Sequence, residues 1–181
     1  NGAAVELFTP GDAADVRRRL GLPGGAVVAG FVGTLAAWQG LDLLIDAAAR
    51  LPHDRPWRIV IVGDGEVRDA LQRRIGRRGA ADRVSLHPAV AHASVPALLR
   101  AFDMAVVPIH DDRKLRYGLS VLKFWEALSA GLPVLVPDRG GLGDVLRRLD
   151  WPGTYHAGDA GDLACAMQRI AFPETSGLVR S

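Results

Sequence analysis

Cysteine and lysine are scarce in this chain, and no single sign of charge dominates it. The only cysteine among 181 residues is Cys165, which excludes an internal disulfide and any cysteine-based metal site. No apolar run is long enough to span a bilayer, and the opening residues carry no signal-peptide pattern. Lys and Arg total 22 against 20 Asp and Glu, a net charge of +2, so global charge gives nucleic-acid binding no support and no nucleic-acid partner is expected. No low-complexity block or repeat period stands out. Hydrophobic residues make up 49%, too many for a disordered chain, and the length suits one domain with a substantial core. The basic residues are almost all arginine. Only Lys114 and Lys123 are lysine, and both lie in or beside the most informative stretch of the chain.

That stretch is Tyr117–Pro137, YGLSVLKFWEALSAGLPVLVP. A glycine turn opens an amphipathic helix carrying Lys123 and Glu126, Ala130-Gly131 closes it, and Pro133-Val-Leu-Val continues as a buried strand. Backbone N–H groups, one cation and one carboxylate in a single loop–helix–strand unit suit a ligand with a pyrophosphate and a sugar.

Hydrophobic periodicity predicts the remaining elements. Asp12 is positioned to cap a helix over Ala13–Leu20. Ala26–Val32 reads as a strand buried on both faces, and Leu41–Arg50 as a helix with a stripe at Leu41, Leu44, Ile45 and Ala48. Strands follow at Arg58–Val62, Val84–His87, Met104–Ile109 and Pro133–Val136, with a last short one at Tyr155. Helices are predicted over Val67–Arg77, Val95–Phe102, Val121–Ala130, Leu142–Leu149 and Ala160–Ile170. Strand and helix alternate throughout, which predicts an α/β fold: a doubly wound parallel sheet with helices on both faces. Ligands of such sheets bind beyond the carboxyl ends of the strands. The loops there are Gly33–Gly40, Gly63–Glu66, Pro88–Ser94, His110–Gly118 and Asp138–Gly143.

Each polar residue in these loops has a plainer reading beside the functional one. Glu126 can be a solvated helix residue, and Lys123 can pair with it at i,i+3 instead of meeting a phosphate. Trp38 and Trp125 suit core or domain-interface packing. A lone histidine is more often structural than catalytic, and of His87, His92 and His110 the last is the best candidate, since it ends a strand at the rim. Asp64 suits its own glycine turn. Asp111 and Asp112, being consecutive, suit a solvated loop. Asp138 and Arg139 follow a strand end and are candidates for ligand contact.

At the level of motifs the chain resembles the C-terminal, donor-binding domain of GT-B fold glycosyltransferases of family 4, the group 1 type. Asn1-Gly-Ala-Ala-Val-Glu-Leu-Phe-Thr-Pro10 is similar to the family's interdomain segment, and Phe31-Val-Gly-Thr-Leu-Ala-Ala-Trp-Gln-Gly-Leu-Asp-Leu-Leu44 to its first donor loop. Ile61-Val-Gly-Asp-Gly-Glu66 resembles the family's VGDGP. Asp103-Met-Ala-Val-Val-Pro108 resembles its strand ending in proline, and Leu122–Val134 resembles LKLFEYMAAGKPV. The resemblance runs from Asn1 to about Ile170.

The resemblance implies the donor-binding half of a retaining glycosyltransferase, a hexosyltransferase-type enzyme moving a sugar from a nucleotide-sugar to a glycan or glycolipid. The donor would be a UDP-, GDP- or ADP-linked sugar. No cofactor and no metal are expected, since side chains and helix dipoles offset the diphosphate charge. Glu126 matches the glutamate that accepts hydrogen bonds from the ribose hydroxyls. Gly118, Leu119 and Ser120 match the segment whose backbone N–H groups meet the diphosphate, and Gly33 and Thr34 match the first glycine loop. The pattern also departs from the family. Many members carry Arg where Thr34 stands, Lys where Gln39 stands and Glu where Gly118 stands. Lys123, helped by Lys114, Arg116 or Arg139, is expected to supply the missing charge, with Gln39 and His110 as further donor contacts. No catalytic residue is assigned.

The expected organisation is an interdomain segment over 1–10, continuing from an N-terminal acceptor domain, then the donor-binding domain over 11–172 and a loose tail over 173–181. The isolated domain is expected to be inactive in transfer. The family's setting implies a cytoplasmic location, with peripheral contact at the inner face of the membrane permitted by the sequence pI of about 9.1. The competing reading is a nucleotide-sugar-binding or interaction module without transfer activity, which the missing basic residues favour. An epimerase of the same architecture is a third.

Overall fold

The computed structural model describes residues 13–109, 111, 113 and 122–173. Six strands form one parallel sheet in the order β3-β2-β1-β4-β5-β6. They are β1 (Val27–Val32), β2 (Trp57–Val62), β3 (Val84–His87), β4 (Met104–Val106), β5 (Val134–Pro137) and β6 (Thr154–Tyr155). The helices are α1 (Ala14–Arg19), α2 (Leu41–Ala48), α3 (Arg68–Arg77), α4 (Val95–Arg100), α5 (Leu122–Ser129), α6 (Gly141–Arg148) and α7 (Ala160–Ala171). This is the doubly wound α/β arrangement that the alternation predicts. The N-terminal segment, Asp12 and the tail beyond Pro173 lie outside the described residues.

The chain steps from β1 through β2 to the β3 edge, then returns to β4 on the other side of β1. Right-handed crossovers therefore send the helices to opposite faces. One core layer joins α2, α3 and α7 to the sheet through residues such as Leu44, Ile45, Leu71, Ile75, Leu163 and Met167. The other joins α1, α4, α5 and α6 through Val16, Leu98, Leu99, Phe124, Ala127 and Leu146. Covered on both faces, β1 and β2 read as apolar runs rather than alternations. Gly30 in β1 has its own reason: a β-carbon there would overlap the ring of Phe102, which lies directly on the strand.

Three differences from the sequence reading have physical causes. The predicted α2 stripe extends to Leu43, Asp46 and Ala47, all buried, because α7 packs on α2 as well. Buried Asp46 is held by Arg74 and Arg78 of the α3 region, each giving it paired hydrogen bonds of 2.7–2.8 Å. β4 stops at Val106 rather than Ile109. Val107 N still donates to Leu135 O at 2.9 Å, but Pro108 has no N–H with which to extend the ladder. The start of α7 carries a cap that periodicity does not reveal, with Asp159 accepting from the amides of Gly161 and Asp162. Among the described residues no helix is long and apolar enough to cross a membrane.

Candidate functional site

The strand order reverses between β1 and β4, and a crevice opens there beyond the carboxyl ends. Its floor is made by the loops after β1 and β2, which are bound into one body. Gly33 N donates to Val62 O at 2.9 Å, Leu35 N to Asp64 O at 2.9 Å, and Val67 N to Leu35 O at 3.2 Å. Glu66 Oε1 accepts from Ala37 N at 3.2 Å. Gly63 has φ +154°, and a β-carbon on it would overlap the carbonyl oxygen of Gly33, so only glycine allows the two loops to lie this close. Asp64 accepts from Gly65 N at 2.8 Å and organises its own turn, as the sequence predicts.

After Leu35 the chain makes a short 3-10 turn, Ala37–Gln39, closed by Gly40 in the left-handed region. This turn buries Gln39 to 1% exposure at the cavity wall.

The cavity measures about 460 Å³ and is lined by Gly33, Thr34, Trp38, Gln39, Gly63, Asp64, Ala89, Val90, His92, Lys123 and Glu126, among others. Helix α5 supplies the two charged groups that the sequence singles out. Glu126 is 8% exposed, so the solvated reading does not hold. His92, from a second 3-10 turn His92–Ser94, places Nε2 3.1 Å from Glu126 Oε1.

Lys123 lies against Gly33. A β-carbon on Gly33 would overlap Lys123 Cε and stand 2.9 Å from Nζ. The ammonium is also 5.6 Å from the centroid of the Phe31 ring. Among the described residues Lys123 makes neither a hydrogen bond nor an ion pair, so the expected i,i+3 bridge to Glu126 is not formed. Burial pushes its pKa below the ordinary lysine value, and the charge of Glu126 opposes that shift. Among the described residues, the outcome is an unpaired cation beside the first glycine loop, which suits an anion approaching there.

Of the sequence-predicted site residues, Gly33, Thr34, Gln39, Lys123 and Glu126 meet in one cavity. Arg139 is not brought there; its Nη2 donates to Ala157 O at 3.2 Å near the end of β6. Asp138 accepts from His156 and from Ala157 N, and so ties β5 to the loop after β6. His110, Lys114, Arg116, Gly118, Leu119 and Ser120 lie outside the described residues. His87 bonds Ser85 Oγ at 3.0 Å. Burial first, then the charge of Arg68, lowers its pKa, so its role is structural. His92 is the functional candidate that the sequence reading passed over. Its signal was its loop, which follows β3 on the same rim. Among the described residues no three His, Cys, Asp or Glu side chains are grouped to hold a metal.

The sequence profile of the family described as Glycosyl transferases group 1 matches residues 26–171. A D-inositol 3-phosphate glycosyltransferase of Geodermatophilus obscurus is 33% identical over 179 residues, covering 93% of this chain and 38% of that protein. The chain spans about a third of the length of the curated relatives it matches. Among solved structures, Anabaena Alr3699/HepE in complex with UDP-glucose superposes with a TM-score of 0.80 at 23% identity, covering 97% of this chain and 47% of that one. The C-terminal domain of the glycosyl transferase group 1 family protein LpcC from Francisella tularensis superposes with a TM-score of 0.61 at 17% identity, covering 96% and 98%. At these identities the two structures bear on the fold alone, the Rossmann-like α/β half of GT-B glycosyltransferases. The profile match and the sequence relatives together make this chain a member of the group 1 glycosyltransferase family.

Proposed function

We propose that this domain binds the nucleoside diphosphate of a sugar donor and serves as the donor half of a longer, retaining glycosyltransferase. The observation that carries the reading is the pairing, in one crevice, of a buried carboxylate with a cation that is unpaired among the described residues. Glu126 can accept two adjacent ribose O–H groups. Lys123, beside Gly33, faces the place where a diphosphate would meet the first glycine loop, and the loop backbones can approach it closely. Ala89, Val90 and Val95 line the apolar side of the same cavity and suit a nucleobase.

The relatives support this reading. One acts as a D-inositol 3-phosphate glycosyltransferase, and one structural neighbour was crystallised with UDP-glucose. A UDP-, GDP- or ADP-linked sugar is therefore the proposed substrate, with a glycan or lipid-linked acceptor held by another domain. Acceptor contacts and closure of the cleft then come from elsewhere, so this chain alone should not transfer sugar. Turnover of a nucleotide sugar onto an acceptor by the chain alone would overturn that division of labour.

A binding module without transfer activity is the second reading. The neutral Thr34 and Gln39, at positions where many members carry cations, favour it. Titration calorimetry with UDP, GDP and ADP, alongside Glu126→Ala, tests the site common to both. Saturable binding of one nucleotide, lost in the variant, is the expected result. Equal binding by wild type and variant would refute the role given to Glu126.

A further inference from the structure

Glu126 and Lys123 stand one helical turn apart, a spacing at which opposite charges ordinarily pair. They do not pair here. The Glu126 carboxylate is instead bonded to His92 at 3.1 Å, and Lys123 lies over Gly33 and Phe31. A carboxylate offers about four lone-pair positions, yet among the described residues only His92 donates to this one. The carboxylate therefore keeps acceptor capacity that His92 does not use. Its remaining acceptor capacity is directed to the cavity that both residues line.

We propose that His92 is a positioning residue for Glu126, and that it sets how strongly the site distinguishes a ribonucleoside diphosphate from one lacking the ribose hydroxyls. This rests on the ribose reading of Glu126 given above. By holding one oxygen from the side of the β3–α4 loop, the imidazole keeps the carboxylate turned away from Lys123. Two groups with separate duties thus stay separate, the carboxylate free for hydroxyl donors and the ammonium free for phosphate. Without the imidazole, Glu126 can rotate towards Lys123 and form the bridge that its helix spacing favours. The hydroxyl acceptor would then be lost and the cation neutralised together. The His92 side chain is 66% exposed, so it is replaceable without opening the core.

The test uses whichever of UDP, GDP and ADP binds the chain, paired with its 2′,3′-dideoxy counterpart, in wild type, His92→Phe and His92→Gln. Wild type should prefer the ribonucleotide by roughly tenfold, as expected for hydrogen bonds to a charged acceptor. His92→Phe, which keeps a ring but has no N–H, should lose most of that preference at an unchanged melting temperature. His92→Gln, whose amide nitrogen reaches a similar position, should retain it. In a Glu126→Gln background His92→Phe should have no further effect on the ratio. A wild-type preference that survives in His92→Phe, or an equal loss in the Glu126→Gln background, overturns this role while leaving the ribose reading intact. No preference in wild type, or no binding of any of the three nucleotides, removes the ribose reading and this proposal with it.

Discussion

The side chain of Lys123 lies across the α-carbon of Gly33, so that a β-carbon there would overlap Lys123 Cε. A residue in the first loop and one in α5, far apart in sequence, thus define one another's position. The obstacle is the end of a flexible side chain, so Gly33→Ala is expected to move the ammonium more than to break the fold. Backbone strain at φ +151° adds a stability cost of about 1 kcal/mol or more. Calorimetry should show nucleoside diphosphate affinity falling in Gly33→Ala. The loss should largely disappear when the substitution is made in a Lys123→Ala background, because the two act through one group.

Lys123→Ala itself should weaken nucleoside diphosphate binding and flatten its dependence on salt. Burial lowers the pKa of this ammonium, with Glu126 opposing. It therefore loses its proton at lower pH than a free lysine does. Diphosphate affinity should decline on the alkaline side earlier than ordinary lysine titration allows, and the decline should be absent in Lys123→Arg. A Lys123→Ala protein that binds as well as wild type would refute the assignment.

Gln39 is buried at the wall of the cavity, at a place where the family resemblance implies a lysine. Gln39→Lys is expected to tighten nucleoside diphosphate binding by about tenfold at low salt, in line with a charge-assisted bond replacing a neutral one. Unchanged or weaker binding would show that the neutral amide is matched to something other than phosphate.

Asp46 contributes acid sensitivity to the fold. Burial by itself would raise its pKa, but the hydrogen bonds and charges of Arg74 and Arg78 outweigh burial and hold it at about 2. The folded state therefore binds this proton more weakly than the unfolded chain. The stabilisation, on the order of 2 kcal/mol, is complete above the ordinary value of 3.8 and is lost as pH falls towards about 2. Asp46→Asn should lower the melting temperature at neutral pH and flatten its acid limb. Thermal melts across that range would decide.

Gly30→Ala is expected to be among the more damaging single changes. The added methyl group would meet the Phe102 ring inside a packed core, where overpacking costs roughly 1–3 kcal/mol. Denaturant midpoints should show partial recovery in Gly30→Ala combined with Phe102→Leu.

The parts of this architecture that are legible in the sequence are those written locally. The apolar runs of β1 and β2, the glycines at 33 and 63 and the helix carrying Lys123 and Glu126 follow from periodicity and turn chemistry over a few residues. What escapes is set by meetings between distant segments. His92 is unremarkable until the fold brings it to Glu126, 34 residues later. Asp46 looks like a surface residue of a helical stripe until Arg74 and Arg78 arrive from the next helix. Arg139 follows a strand end as a ligand contact would, yet the Ala157 carbonyl is close enough to take its guanidinium. The 3-10 turn that buries Gln39 leaves no mark in the hydrophobic pattern, since it is fixed by Gly40 and by the bond from Ala37 to Glu66.

The cavity draws its walls unequally from the two halves of the core. Loops at the strand ends form the floor, while the side chains of His92, Val95, Lys123 and Glu126 come from the face covered by α4 and α5. Neither α2 nor α3 contributes to it. An occupant would therefore act as a rivet between the sheet's edge loops and one helical layer only. Mass action then makes that layer harder to open in proportion to occupancy. Amide protons of α4 and α5 should exchange more slowly with ligand than without it, while those of α2 and α3 keep their own pace. The two faces of a single sheet would then be distinguishable by their hydrogen clocks.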